Sequence, residues 1–489
     1  MRIKLISPKR LDEWGESFWD LKTLSHLTRK KAGGAPLALP TLAALTPGDI
    51  EVILTDENVE TIDFNEHVDL VGITGMTCVI PRAYAIADEF RKRGVLVIMG
   101  GIHASMLPEE AAQHSDAVVI GEAEEIWQQV IEDARKGSLQ KTYRTSGFPD
   151  LTHSPIPRWD LLKNQRYCYF TIQTGRGCPY DCEFCTVKEF NGREYRHKRI
   201  DIVVEEIKKL QAIDTQKLIF FTDDNLLSIP AYAQDLFKRL VPLKIKNWMC
   251  QSSINRLSND TMLDLMYAAG CRVIFVGFES ISQPSVASMN KDMINKTNEY
   301  KGIIEKVHKH KMSIFGSFIL GSDTDTDAIF KETARFIQDT HIAFSMINIM
   351  TLLPGSKVFA RLKAEQRALG FEWWKANADW ACYRPKLISQ QQLEDGQTWL
   401  LKDIYSYPRL YERLQYLWNK GIFVRQENKT LFSKTRFLIS LLSLLSFNTG
   451  EVKFILKSLW NKQCTSIMWI LTGLNYHQYA YKHKRKPHV

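Results

Sequence analysis

At 489 residues the chain is too long for one ordinary core, which predicts two or three domains. Its 45% hydrophobic content excludes a disordered chain, and nine cysteines, an odd number, do not fit a disulfide framework. The net charge of +9 is mild and scattered, so no nucleic-acid-binding stripe is expected.

The first region alternates short apolar runs with helical segments. Residues 3–6, 51–54, 70–73, 95–99 and 117–120 read as strands, with helical spacing at 83–93 and 108–113. Such runs predict parallel strands covered on both faces, with ligands at their carboxyl ends. Small and polar residues stand there: Thr74-Gly75, Gly100-Gly101 and Gly121-Glu122. Glycine at these ends permits close backbone approach to a ligand, although plain turn chemistry explains any one pair. The first domain is thus expected over 1–140, followed by a polar, proline-containing linker over 141–165.

A second series follows, with strands at 168–171, 217–222, 248–252, 273–277, 313–320 and 343–350. Helical segments at 202–212, 260–268 and 297–310 fall between them. Repeated strand–helix units predict a full or partial barrel over 166–388. From 389 to 489 the pattern is mainly helical, aromatic and basic. Trp373, Trp374, Trp380, Tyr405, Tyr407, Trp418, Phe437, Leu441 and Leu445 could line a pocket for a lipid-like substrate there. At helical spacing such residues are more often core.

The apolar run at the amino terminus is too short for a secretory leader. The most apolar late stretch, 437–447, falls well short of the ~20 residues of a membrane span. A cytoplasmic protein is expected. A basic run, Lys482, His483, Lys484, Arg485 and Lys486, leaves contact with a membrane surface open.

Directly after the first strand of the second series stands Thr174-Gly-Arg-Gly-Cys178-Pro-Tyr-Asp-Cys182-Glu-Phe-Cys185. Thiolates are the usual ligands of iron–sulfur clusters, and three on one loop can hold a 4Fe–4S cluster while leaving its fourth iron open. A zinc site would want a fourth Cys or His close by, and the nearest following histidine, His197, lacks a partner pattern. A thiol-redox pair would need only Cys182 and Cys185. The cluster is the reading that uses all three cysteines.

This Cys-x-x-x-Cys-x-x-Cys spacing, with the aromatic Phe184 before the last cysteine, resembles the signature of the radical S-adenosylmethionine (SAM) superfamily. The resemblance implies that SAM binds the open iron and accepts one electron from the reduced cluster. A 5′-deoxyadenosyl radical then abstracts hydrogen from an unreactive carbon. It also implies SAM contacts from Phe184, from Asp223, Asp224 and Asn225, from Ser252, and from Gly277 and Glu279, and an electron donor such as flavodoxin or ferredoxin.

The front region, with Gly100-Gly101-Ile102-His103, Leu107-Pro108-Glu109 and Gly121-Glu122-Ala123-Glu124, resembles the cobalamin-binding domain of the cobalamin-linked radical SAM class. Asp56-Glu57-Asn58 fits the same pattern. The carboxy-terminal segment Leu393-x-x-Gly396 to Ile404-Tyr405-Ser406, followed by Glu412-Arg413-Leu414, resembles that of a subgroup that includes hopanoid methylases. The implied α/β architecture is a Rossmann-like cobalamin-binding domain, a partial (β/α) barrel and a mainly helical carboxy-terminal region. Thr74, Gly75, Gly100, Gly101, Gly121 and Glu122 would contact cobalamin. Many cobalamin domains carry Asp-x-His-x-x-Gly after the first strand. Here 7–15 reads Ser-Pro-Lys-Arg-Leu-Asp-Glu-Trp-Gly, with no histidine to ligate cobalt.

The resemblance thus implies cobalamin-dependent methyl transfer to an unactivated carbon of a small-molecule or lipid-like substrate. Non-methylating radical chemistry (cyclisation, oxidation or carbon–carbon coupling) is the alternative. A metal-stabilised nucleic-acid-binding protein is a remote one, because the basic residues form no stripe.

Overall fold

Alternate residues of the first strands point to opposite faces, and both faces are apolar. The computed structural model describes residues 1–15, 17, 30–422, 453–454, 458 and 467–482. Its first sheet contains β1 (Arg2–Ser7), β2 (Glu51–Asp56), β3 (Leu70–Thr74), β4 (Leu96–Gly100), β5 (Ala117–Ile120) and β6 (Thr142–Arg144). All pairings are parallel, in the order β2-β1-β3-β4-β5-β6. On one face Ile3, Leu5, Leu70, Ile98 and Val119 enter a core shared with the second domain. On the other, Ile6, Val71, Ile73, Val97 and Met99 pack with the helix Ile80–Lys92. Because β1 lies between β2 and β3, the crevice of this sheet opens at the carboxyl ends of β1 and β3.

The expected linker is partly structure. Thr142–Arg144 extends the first sheet as an edge strand, and only Tyr143 of its three residues is buried. A strand with one apolar residue has no apolar run to read. Three short 3-10 turns follow, Leu151–His153, Trp159–Leu161 and Asn164–Arg166, with Leu151 and Trp159 in the core.

The second sheet is an open half-barrel. It contains β7 (Tyr169–Ile172), then, after a small antiparallel pair β8 (Gly175–Arg176) and β9 (Arg196–His197), the strands β10 (Leu218–Phe221), β11 (Trp248–Ser252), β12 (Cys271–Glu279), β13 (Ser313–Leu320) and β14 (Phe344–Ile349). The order β14-β13-β12-β11-β10-β7 is parallel throughout. This leaves the outer edge of β7 unpaired within its sheet. Residues 31–35 of the front region run along it. Cys168 N donates to Ala32 O (2.9 Å), Tyr169 N to Gly33 O (3.0 Å) and Thr171 Oγ1 to Ala35 O (2.8 Å). Gly33 and Gly34 make this approach possible, since a Cβ on either would run into the Tyr169 ring. Tyr167 adds a second tie, donating its hydroxyl to Asp56 Oδ2 at 3.0 Å.

The described part of the carboxy-terminal region is helical: Gln390–Ile404, Tyr407–Asn419 and Ile467–Lys482. The first begins with a capping box between Ser389 and Gln392. Tyr476 of the last helix packs against Phe315, Phe344 and Tyr405, ring centroids 5.4–6.2 Å apart. Tyr405 and Trp418 are core, and Trp373 packs against the outer face of the first sheet. Trp373, Trp374, Trp380, Tyr405, Tyr407 and Trp418 do not line the large cavity described below. Phe437, Leu441, Leu445 and the basic residues 483–486 lie outside the described residues. Among those described, no helix is long and apolar enough to cross a membrane.

One buried base makes the fold acid-sensitive. His308, on the helix Tyr300–Lys309, is 4% exposed and its Nε2 has no hydrogen-bond partner. Burial, with help from His341 and Lys420, lowers its pKa to about 4. The unfolded chain then binds a proton near pH 6.5 that the folded one refuses, so stability falls as pH drops through that window. Between pH 7.5 and 5.5 this costs roughly 1 kcal/mol. In urea titrations at the two pH values, His308→Gln should lose that part of the pH dependence.

Candidate active site

The cysteine loop is held at its entrance by a carboxylate that never reaches the cavity. Asp223, at the end of β10, is completely buried and accepts hydrogen bonds from Thr174 Oγ1 (2.7 Å), Gly175 N (2.6 Å), Thr174 N (3.0 Å) and the Tyr195 hydroxyl (2.7 Å). Gly177 then turns the chain with φ +96°, where a Cβ would strike the Glu194 carbonyl. Further on, Glu183 is gripped by Arg361 (Nε at 2.5 Å, Nη2 at 3.1 Å), and its backbone N–H donates to Met289 O at 3.0 Å. These ties act on the backbone and on acidic side chains, so the three thiols carry none of the fold's load.

Cys178, Cys182 and Cys185 line one cavity of about 960 Å³, at the upper end of the ~300–1,000 Å³ usual for small-molecule sites. It lies between the carboxyl ends of the two sheets. The front domain contributes Ser7, Pro8, Asn58, Gly75 and Met76, from the ends of β1, β2 and β3. The half-barrel contributes Phe184, Asp224, Asn225, Gln251, Ser252, Gly277 and Glu279, and an apolar stretch of Phe275, Ile319, Met346, Ile349 and Leu353. Among the described residues, no three Cys, His, Asp or Glu side chains converge on one point as a single metal ion would require. The three thiols share the wall of this cavity. Burial pushes Cys182 to about 11 and Cys185 to about 12, and raises Cys178, so a bound cluster must supply the positive charge that removes their protons.

Two carboxylates in the cavity differ in what they offer. Glu279 sits at φ +60°, a backbone state that side chains rarely adopt, and is ion-paired with buried Lys291. Burial opposes the Lys291 charge, yet Glu279 and the nearby thiols hold its pKa above the ordinary lysine value. Gly277 makes room for the pair, because a Cβ there would meet both partners. Asp224 has no such partner. Burial, then the neighbouring Asp223, raises its pKa to about 6, and its Oδ2 is buried without a hydrogen-bond partner. An orphan acceptor in a polar cavity wall fits a ligand that brings an N–H or O–H.

Of the expected SAM contacts, all except Asp223 line the cavity. The two aspartates are sequence neighbours at a strand end, where alternation sends one side chain into the loop and the other into the cavity. Of the expected cobalamin contacts, only Gly75 lines it. Gly101, at φ +87°, packs against Thr74, where a Cβ would collide. Gly121 N donates to Ser105 Oγ at 2.9 Å. Glu122 is buried in an ion-pair network with Arg176 and Arg196. The physical reason is strand order: the crevice opens between β1 and β3, whereas Gly100, Gly101, Gly121 and Glu122 follow β4 and β5. His103 is also away from the cavity, buried beside Thr77 (3.3 Å), Glu110 and Trp373. Sequence reasoning missed Lys291 and Arg361, which lie more than 100 residues beyond the cysteines and carry no local motif.

The fold and the cavity thus define a half-barrel enzyme with a cysteine-lined site facing a doubly wound front domain. Profiles of two families match the corresponding parts of the chain, the radical SAM superfamily over residues 172–337 and the B12 binding domain over 31–131. The chain is 30% identical over 401 residues to the bacteriochlorophyllide d C-12(1)-methyltransferase of Chlorobaculum tepidum, covering 80% of this chain and 87% of that one. The C-8(2)-methyltransferase of the same organism is 31% identical over 402 residues, with 76% and 88% covered. The hopanoid C-2 methylase of Rhodopseudomonas palustris is 27% identical over 365 residues, with 72% and 69% covered. In fold, the chain superposes on the cobalamin-dependent SAM radical enzyme OxsB with aqua-cobalamin bound, at TM-score 0.65, 15% identity and 98% and 79% coverage.

The chain belongs to the cobalamin-dependent radical SAM methyltransferases. It is an enzyme that uses a 4Fe–4S cluster, SAM and cobalamin to methylate an unactivated carbon.

Proposed function

We propose that Cys178, Cys182 and Cys185 hold the cluster as thiolates on three irons, leaving the fourth to SAM. The observation that carries this reading is the shared cavity wall, on which the three thiols, the orphan Asp224 oxygen and the Glu279–Lys291 pair lie together. When bound, the cluster and SAM supply the one-electron chemistry that opens a C–H bond, and cobalamin supplies the methyl group. Asp224 accepts a hydrogen bond from SAM. Asn225 and Ser252 line the adjoining wall, and Asn225 is fixed by Ser253, whose Oγ accepts from its Nδ2 at 3.1 Å. Phe184 lies under the Lys291 ammonium, 6.0 Å from its ring centre. The front domain receives cobalamin at the β1–β3 crevice, where Pro8, Asn58, Gly75 and Met76 meet the cavity.

The substrate is a small molecule. We propose a rigid, largely apolar ring system facing Phe275, Ile319, Met346 and Ile349, with tetrapyrroles the first class to test because the relatives matched at 30% and 31% act on bacteriochlorophyllides. An electron-carrier protein of the flavodoxin or ferredoxin kind reduces the cluster.

Anaerobic purification from cobalamin-supplied cells should yield about four irons and one cobalt per chain. Supplied with dithionite and SAM bearing a deuterated methyl, the protein should transfer label to a bacteriochlorophyllide-type tetrapyrrole. Label on a hopanoid instead would move the substrate to polycyclic lipids. Failure to form 5′-deoxyadenosine would defeat the cluster assignment.

A further inference from the structure

The cysteine loop has two sides. One lines the cavity, and the other, around Pro179 and Asp181, faces outward against the segment 288–294 and the start of the helix Lys357–Ala364. Asn290 Nδ2 donates to Asp181 O (2.8 Å), and Val358 N donates to Glu183 O (2.9 Å). Asp181, next to Cys182 in the chain, is surrounded by three cations: Lys188 at 3.1 Å, Arg193 at 3.0 Å and Lys357 at 2.6 Å. One carboxylate cannot balance three cations, and Glu189, 3.5 Å from Lys188, accounts for one more. The surplus is exposed, with the Arg193 side chain 61% and the Lys357 side chain 49% accessible. On the adjoining segment stands Met293, at 83% the most exposed large apolar side chain among the described residues.

An apolar knob beside surplus positive charge has the make-up of a small transient interface, in which charge steers the encounter and the apolar contact holds it. Electron transfer between protein-held centres falls steeply with distance, and Asp181, which both Arg193 and Lys357 hold, is the residue just before Cys182. We infer that this outer face of the cysteine loop, Arg193 and Lys357 with Met293 beside them, docks an acidic one-electron carrier protein. The inference rests on the cluster assignment above. The carrier is oxidised by one electron and the cluster is reduced by one. Held by the three cysteines, the reduced cluster would supply that electron for the reductive cleavage of SAM to methionine and a 5′-deoxyadenosyl radical.

The test titrates flavodoxin, an acidic carrier, against the anaerobic protein, and measures 5′-deoxyadenosine formation driven by dithionite in parallel. Lys357→Glu should weaken flavodoxin binding at least about fivefold and flatten its salt dependence. Met293→Glu and Lys296→Glu, the latter an exposed side chain three residues beyond Met293, should weaken binding while keeping the dithionite-driven rate within about twofold of wild type. Carbodiimide cross-links to flavodoxin should map to Lys357 or Lys296. Unchanged affinity in all three variants, or parallel loss of the dithionite-driven rate in all three, would overturn the docking face. Wild-type protein that makes no 5′-deoxyadenosine with dithionite would instead sink the cluster assignment on which it rests.

Discussion

Cys182→Ala is expected to retain the fold but lose the iron, with 5′-deoxyadenosine formation reduced more than about a thousandfold, in the range seen when a whole electrostatic or metal element leaves a site. The loop does not depend on this thiol for its shape. Asp223 holds its entrance with four donors, Arg361 grips Glu183, and Cys185 N donates to the backbone carbonyl of residue 182 at 3.1 Å whatever the side chain. Removing a half-buried sulfur should therefore shift the thermal midpoint by only a few degrees. The control is Cys250→Ala, a fully buried strand cysteine that should leave iron content unchanged. Iron by elemental analysis and nucleoside by chromatography decide the matter. A Cys182→Ala protein with four irons and normal turnover would show that the cluster sits elsewhere.

Glu122→Gln should destabilise the protein by about 3–5 kcal/mol, the cost of stripping one partner from a buried ion pair. The Glu122 side chain is 2% exposed. Its oxygens accept from Arg176 Nη1 (2.7 Å), Arg196 Nη2 (2.5 Å) and Asn191 Nδ2 (3.0 Å). Burial alone would raise its pKa, but Arg176 and Arg196 outweigh that and hold it below the usual glutamate value. The amide cannot neutralise either guanidinium. Glu124, 2.5 Å from Arg176, softens the loss on that side, which places the expectation near 3 kcal/mol. Since Arg176 is two residues before Cys178, the variant should also lose iron more quickly to a chelator. Denaturant midpoints within about 0.5 kcal/mol of wild type would mean that the network is relaxed by solvent.

Local pattern carried much of this reading. The buried parallel strands were legible because covering on both faces makes them continuous apolar runs, and the cysteine loop because its ligands are neighbours in sequence. Thr142–Arg144 was not, since an edge strand needs only Tyr143 buried. The front-domain glycines separate in the structure for a different reason. Thr74-Gly75 and Gly121-Glu122 look equivalent along the chain, but only the first follows a strand beside the β1–β3 crevice, and strand order leaves no local mark. Lys291 and Arg361 were hidden because each meets the loop across more than 100 residues of chain.

The seam between residues 31–35 and β7 bears on how such enzymes can be recombined. Cut at the point where one domain ends along the chain, the barrel would lose the segment that covers its first strand, and a bare parallel edge invites pairing with other chains. Exchange of the front domain for that of a relative would bring in a foreign seam segment, and the twin glycines, Gly33 and Gly34, would have to come with it to clear Tyr169. During synthesis, too, the seam segment must wait for more than 130 residues before its partner leaves the ribosome. The heritable module is therefore the pair of domains, and grafts that respect only the linear boundary should yield aggregates rather than hybrid methyltransferases.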